Sequence, residues 1–273
     1  MNIASHRNRD NSKTEDNEPL SYTEPSQRYH ISNDMCNDNL DHLPTLLQRL
    51  DSDPAANVSV FPHSTAGLGI TKNSYQNFMS KLKEHLFRRL DHGDLFENYS
   101  EEDINRVSFV YNRIYRHNVM RLNYTTYDLR RSQDTINVRT HSDVMVIASE
   151  DRDNADPYWY ARVIGIFHAN VRYRNPQDEA VDTRCMEFLW VRWFERDTKH
   201  CSGIDARRLP RIRFVSSNDK WAFGFISPEA IVRGSHLIPA FAYGETEDPL
   251  PLQSAARKKK EDNNDWAYYY VNM

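Results

Sequence analysis

Apolar positions recur at helical spacing in one early segment, then alternate or run together through most of the remaining chain. Over residues 72–90, KNSYQNFMSKLKEHLFRRL, the residues Tyr75, Phe78, Met79, Leu82, Leu86 and Leu90 fall at i, i+3, i+4, i+7, i+11 and i+15. That is a single apolar stripe on a 3.6-residue period, so an amphipathic helix is expected there. Lys81, Lys83, Arg88 and Arg89 lie off the stripe. A helix packed on its own domain with a solvated basic face explains them, and so does a partner-binding helix. Residues 40–50, LDHLPTLLQRL, hold a shorter apolar cluster suited to one or two helical turns after Pro44. Residues 100–103, SEED, have capping-box spacing with Asp103 in place of the usual Glu, which marks another short turn.

Beyond residue 105 the pattern changes to strands. Residues 106–130 are β-branched and aromatic, with possible turns at Asn112-Arg113 and His117-Asn118, and read as two or three strands. Further strands are expected at 143–149, at 158–173 with a bulge or bend near Gly165, at 185–195, at 211–215 and over 230–241. In 185–195 both faces are apolar, with Met186, Phe188 and Trp190 on one and Leu189, Val191 and Trp193 on the other. A strand buried on both faces sits in the middle of a sheet. The fold class implied is α+β, mainly β: a small curled sheet or barrel preceded by the helix.

Composition divides the chain along its length. Residues 1–39 are rich in Asn, Asp, Ser and Glu with almost no aliphatics, too few to offset backbone entropy, so disorder is expected there. The domain plan is a disordered segment and linker over 1–69, a helical lead-in over 70–105 and a β-rich domain over 106–241. A loose tail over 242–273 then ends in the strand-like WAYYYVNM. Residues 1–60 carry five Lys/Arg and ten Asp/Glu, whereas 104–140 carry seven Arg and two Asp. The overall formal charge of −4 hides that split, so a local anion-binding face is compatible with it.

Several classes are excluded. No run of 18 apolar residues exists, so no membrane span is expected. The N-terminus has no apolar core of the secretory kind, and three cysteines (Cys36, Cys185, Cys201) cannot all pair. An intracellular location, nuclear or cytoplasmic, is the expectation. Cys185 and His200-Cys201 give three possible zinc ligands without the spacing of a structural site, so no metal and no cofactor are expected. His141, Asp143 and Glu187 could form a two-metal carboxylate cluster, but among 39 acidic residues such a triple arises readily by chance.

Two constellations carry candidate chemistry. Tyr158, Trp159, Tyr160 and Arg162 form one group, and Trp190, Arg192, Trp193 and Phe194 another. On neighbouring strands these could line a groove that stacks bases or holds a methylated lysine, with Tyr158, Tyr160, Arg162, Arg192 and Phe194 touching the partner. They could equally build an aromatic core with Arg at its rim. The second constellation is Arg113, Arg116, Arg121, Arg130, Arg131 and Arg139. A guanidinium fork suits phosphate; pairing with the acidic stretches 150–156 and 178–182 is the competing account.

Residues 112–146, NRIYRHNVMRLNYTTYDLRRSQDTINVRTHSDVMV, resemble a segment repeated in mushroom-forming fungal genomes, as do PYWYARVIGIFH (157–168), MEFLWVRWFERD (186–197) and IVRGSHLIPAF (231–241). That segment belongs to the C-terminal region of large DNA transposons of the Plavaka and KDZ kind. The resemblance covers about residues 100–273 and implies no catalytic residue. Its relatives continue past the motif matched by Asp265-Trp266-Ala267, which implies a chain cut short at Met273. A looser resemblance, over 143–241, is to the bromo-adjacent homology domain, through Val191-Arg192-Trp193-Phe194-Glu195-Arg196 and the preceding Tyr160-Ala161-Arg162-Val163. It implies a β-rich, barrel-like chromatin-interaction module without catalysis. Three functions are therefore in play. The first is a non-enzymatic interaction module acting on chromatin or nucleoprotein. The second is a nucleic-acid-binding barrel using the Arg stretch. The third is an inactive transposase or nuclease remnant.

Overall fold

A computed structural model describes residues 28–32, 40–50, 53, 55–56, 74–91, 99–126, 130–148, 158–174, 181–203, 206–250, 253–257 and 264–272. The disorder expected over 1–27 and 33–39, and most of the linker over 51–69, lie outside the described residues. In chain order the first elements are β1 (Tyr29–Ile31), β2 (Leu40–His42), α1 (Leu43–Leu50), α2 (Ser74–Asp91) and α3 (Glu101–Ile104). Then come β3 (Val107–Phe109), β4 (Arg113–His117), β5 (Val119–Thr125), β6 (Arg131–Asn137) and β7 (Asp143–Ile147). They are followed by β8 (Tyr158–Arg174), β9 (Val181–Arg196), β10 (Arg211–Phe214), β11 (Phe223–Ile226) and β12 (Ile231–Gly234). The last are β13 (His236–Pro239), β14 (Glu245–Thr246), β15 (Asp265–Trp266) and β16 (Tyr269–Asn272). The described fold is mainly β, and its strand pairings are antiparallel.

The long β8–β9 hairpin organises everything else. Its register runs from Ala161 opposite Trp193 to Arg174 opposite Val181, broken between Val163 and Gly165. At that bulge two residues, Ile164 and Gly165, face Trp190 alone, which bends the hairpin. A Cβ on Gly165 would run into the Phe167 ring, so only glycine lets that ring lie over the bulge. One face of the hairpin carries Phe167, Val171, Met186, Phe188 and Trp190 beneath α2. Phe78, Leu82, Leu86, Phe87 and Leu90 of α2 are buried against it, and Phe78 meets Trp190 edge-on at 5.2 Å. The other face, with Val163, Ile166, Leu189 and Val191, is covered by Ile31, Met120, Leu122 and Ile136 from the separate three-stranded sheet β1-β5-β6. Central placement of β9 is a consequence: it pairs with β8, β10 and β11.

Beyond the bulge the sheet curls. Its path runs β12-β7-β8-β9-β10-β16-β13 and does not close by hydrogen bonds. The two end strands are nevertheless consecutive in the chain, with Ser235 alone between them. Residues 231–239 thus act as one bent strand whose first half pairs with β7 and whose second half pairs with β16. Met145, Tyr160, Phe194, Ile212, Phe214, Tyr269 and Val271 fill the inside of the curl.

Two expectations are corrected, and one strand goes unannounced. Tyr29–Ile31, placed in a disordered segment by composition, form a strand on β5, with Ile31 buried because the backbone finds an open edge and its side chain an apolar seat. The stretch read as a loose tail is integral where it is described. Glu245–Thr246 pairs with Asp265–Trp266 and Asp265 is buried, while the ending expected to be strand-like is a strand, Tyr269–Asn272, between β10 and β13. The β6 strand, RSQDTIN, has too few apolar residues to declare itself in sequence.

Candidate functional site

The aromatic–Arg constellation lands together, inside the curl. On β8 the residues Tyr158, Tyr160 and Arg162 share a face, and on β9 Arg192 and Phe194 share the same face. Tyr160, Arg162, Arg192 and Phe194 are buried, and Tyr158 is half-buried. The space they could have offered a ligand is taken by Phe214 and Tyr269. Phe194 stacks on Phe214 at 4.2 Å, and both meet Tyr269 edge-on at 5.6 Å. Arg162 is held by Asp143 through Nε (2.7 Å) and Nη2 (3.2 Å). Arg192, 0% exposed, donates from Nη2 to Asp265 at 3.0 Å, and its guanidinium carbon lies 3.6 Å from the centre of the Phe214 ring. Burial works against the Arg192 proton and lowers its pKa, with the Asp265 carboxylate opposing that shift. Among the described residues its Nε and Nη1 have no hydrogen-bond partner. These residues form a charged and aromatic core instead of a groove.

At one mouth of the curl lies a cleft of about 380 Å³. β6 contributes Asp134 and Ile136, β7 contributes Asp143 and Met145, and the bend between β12 and β13 contributes Arg233, Ser235 and His236. Gln133, Thr135, His141, Gly234 and Asn272 complete it. Asp134 is fixed by its Oδ2, which accepts from the Gly234 N–H at 2.9 Å, and Arg233 Nε stands 3.9 Å from the same oxygen. The Arg233 guanidinium also lies over Tyr124, 4.7 Å from the ring centre. The Ser235 hydroxyl is buried without a partner among the described residues. A cleft of this size with a few convergent polar groups is a common seat for small ligands.

The Arg stretch divides between two sheets. Arg113 and Arg116, on β4, are half-buried in the large sheet. Arg121 and Arg131 are exposed on β5 and β6, and Arg130 is exposed just before β6. Strand alternation sorts the three-stranded sheet cleanly. Its inner positions Ile31, Met120, Leu122 and Ile136 are buried. Its outer positions are His30, Arg121 and Thr135 in one row and Asn123 with Gln133 in the next, then Thr125 with Arg131. Gln133 Nε2 donates to Asn123 Oδ1 at 2.8 Å across that face. Among the described residues no carboxylate occupies an outer position of β1, β5 or β6, because Asp134 points inward to Gly234. The acidic stretch 150–156 lies outside the described residues, and Asp182 pairs with its neighbour Arg184 at 2.6 Å.

The remaining candidates separate. Among the described residues no group of His, Cys, Asp and Glu could hold a metal, and Cys185 and Cys201 are free and exposed. Asp143 is engaged by Arg162, while Glu187 sits opposite His168, six residues further along β8. That histidine makes the pair sequence reasoning missed: His117 Nε2 and His168 Nδ1 are 2.6 Å apart, and His117 Nδ1 bonds the Ser32 carbonyl at 2.9 Å. Burial, then the neighbouring His117, lowers the His168 pKa to about 4. No signal in the chain marks two histidines 51 residues apart as partners. An aromatic slot does exist at the surface, between Tyr243 and Tyr268, but the Arg211 guanidinium fills it, 4.5 and 4.6 Å from the two ring centres and bonded to Asp197. No helix of the described residues is long and apolar enough to cross a membrane. No family model, curated protein or solved structure matches the chain.

Proposed function

We propose that the protein is a non-enzymatic nucleic-acid-binding module of a nucleoprotein complex, and that the outer face of the β1-β5-β6 sheet carries the contact. One observation supports this above the rest: that face presents Arg121, Arg131 and His30 with amide and hydroxyl side chains and without a carboxylate among the described residues. Guanidinium groups on a rigid sheet position a phosphate backbone, and neutral polar side chains between them tolerate any sequence. The resemblances to transposon reading frames and to the bromo-adjacent homology domain point to the same setting, chromatin or transposon nucleoprotein.

The test is the salt dependence of oligonucleotide binding by the full chain. Each phosphate contact contributes about 0.9 to the log–log salt slope for duplex and about 0.7 for single strands. Arg121→Glu and Arg131→Glu should each weaken binding and flatten the slope by about one such step. Arg184→Glu, a paired residue on the large sheet, should leave the slope unchanged. Absence of binding to single or double strands at about 50 mM salt would overturn the proposal. That result would leave a protein-interaction module, a reading favoured by Phe241 and Tyr243, which are 67% and 50% exposed beside Trp266 and Tyr268.

A further inference from the structure

We propose that the mouth cleft takes up an unpaired base of the strand bound on the outer face, and that it prefers bases carrying an exocyclic amino group. This rests on the nucleic-acid reading above and narrows it to single strands. The argument begins with β6, which is an edge strand shared by both surfaces. Its residues alternate: Arg131, Gln133 and Thr135 are exposed on the outer side and Asp134 and Ile136 lie on the inner, and four of them, Gln133 to Ile136, line the cleft, so the strand forms its lip. A backbone tracking the outer face therefore passes the lip of a cleft of about 380 Å³. That is within the range of small-ligand sites, about 300–1,000 Å³.

The cleft offers acceptors where a base has donors. Asp134 Oδ2 is committed to the Gly234 N–H, and Asp134 Oδ1 has no partner among the described residues. A free carboxylate oxygen accepts from the amino group of cytosine or adenine; thymine and uracil put a carbonyl at that position, and their N3–H lies between two carbonyl oxygens that repel a carboxylate. Arg233 supplies a planar cation at the edge of the cleft, a surface on which an unstacked base can lie. The buried Ser235 hydroxyl, unpartnered among the described residues, supplies one more donor or acceptor.

The experiment compares four labelled single strands of equal length, oligo-dC, oligo-dA, oligo-dT and an abasic strand, by fluorescence anisotropy with the full chain. Oligo-dC and oligo-dA should bind about fivefold tighter than oligo-dT, the discrimination expected of one hydrogen bond. The abasic strand should bind most weakly. Asp134→Asn makes the sharper test. The Gly234 N–H claims the one carbonyl oxygen of the amide, so the NH₂ group turns to the cleft and an acceptor becomes a donor. The preference should then move toward oligo-dT, while Arg121→Glu should weaken all four strands without changing their ratios. Equal affinity for the four strands, or ratios unmoved by Asp134→Asn in a protein that melts normally, overturns the cleft proposal and leaves the outer-face reading standing. No binding to any strand overturns both.

Discussion

Arg162 and Arg192 stand directly opposite each other on β8 and β9, two like charges in one buried cross-strand pair. Such a pair is unfavourable by itself. Two carboxylates from distant parts of the chain offset it, Asp143 on Arg162 and Asp265 on Arg192. The Phe214 ring lies against both guanidinium groups, with their carbons 5.0 and 3.6 Å from its centre. Arg257 is a second cation on Asp265, at 3.4 Å. The inside of the curl is thus a network in which each charge depends on another element being in place. That couples the C-terminal strands to the central hairpin.

Removing one member should therefore cost far more than removing a matched pair. Asp265→Ala leaves Arg192 buried without its carboxylate and should destabilise by about 3–5 kcal/mol. Arg192→Met combined with Asp265→Leu removes that pair and leaves Arg257 on the Leu250 carbonyl alone, so it should restore part of that loss. Urea unfolding of the two variants decides it. A cost for Asp265→Ala below about 1 kcal/mol would show that the pair is not what ties β15 and β16 to β9.

Two tryptophans of β9, predicted alike from sequence, should behave differently. Trp190 is 4% exposed beneath α2 against Phe78, whereas Trp193 is half-buried and meets Trp159, itself 42% exposed. Trp190→Ala should cost about 3–5 kcal/mol, as large aromatic truncations in cores do. Trp193→Ala should cost clearly less, since part of its surface already faces water. Equal shifts in melting temperature would contradict the placement.

The Gly165 bulge makes a third test. Gly165→Ala sets a methyl group against the Phe167 ring and should cost about 1–3 kcal/mol by overpacking. Phe167→Leu in the same chain should relieve part of that cost. A double-mutant cycle with no coupling between the two positions would refute the contact.

Periodicity was legible in the sequence. The two apolar faces of β9, the bulge near Gly165 and the stripe of α2 all come from side-chain spacing alone, because burial imposes it directly. Partnership over long range was not legible. A charged residue in an apolar strand, such as Arg192, reads as a rim or groove residue until its carboxylate is seen 73 residues away in a polar stretch. The basic run 113–131 reads as one patch because it is contiguous, yet the bend at Asn118 ends β4 in the large sheet and starts β5, which with β6 belongs to another. Strand β6 stayed hidden because it is an edge with a polar outer face, and that polar face is what makes it a candidate for binding.

Acid should weaken the fold through two histidines held neutral. His168 titrates at about 4 because it is desolvated beside His117, and His85 at about 3 because it is desolvated between Arg89 and Arg88. Both have an ordinary value near 6.5 when the chain unfolds. Between about 6.5 and 4 the unfolded chain binds protons at these sites that the native chain refuses, so stability falls as pH falls through that window. Their contribution is complete above about 7. Below about 4 His168 adds no further slope, while His85 continues to about 3. The geometry accounts for the His168 half of this. With His117 Nδ1–H donating to Ser32 and His168 Nδ1–H donating to His117 Nε2, both rings are neutral and every bond is made. A proton on both facing nitrogens at once breaks the 2.6 Å bond. Urea midpoints measured from pH 7.5 to 4.5 should fall steadily in the native chain and less steeply in His168→Gln, whose amide keeps a donor for His117 without titrating. Identical pH profiles for the two proteins would remove His168 from the account.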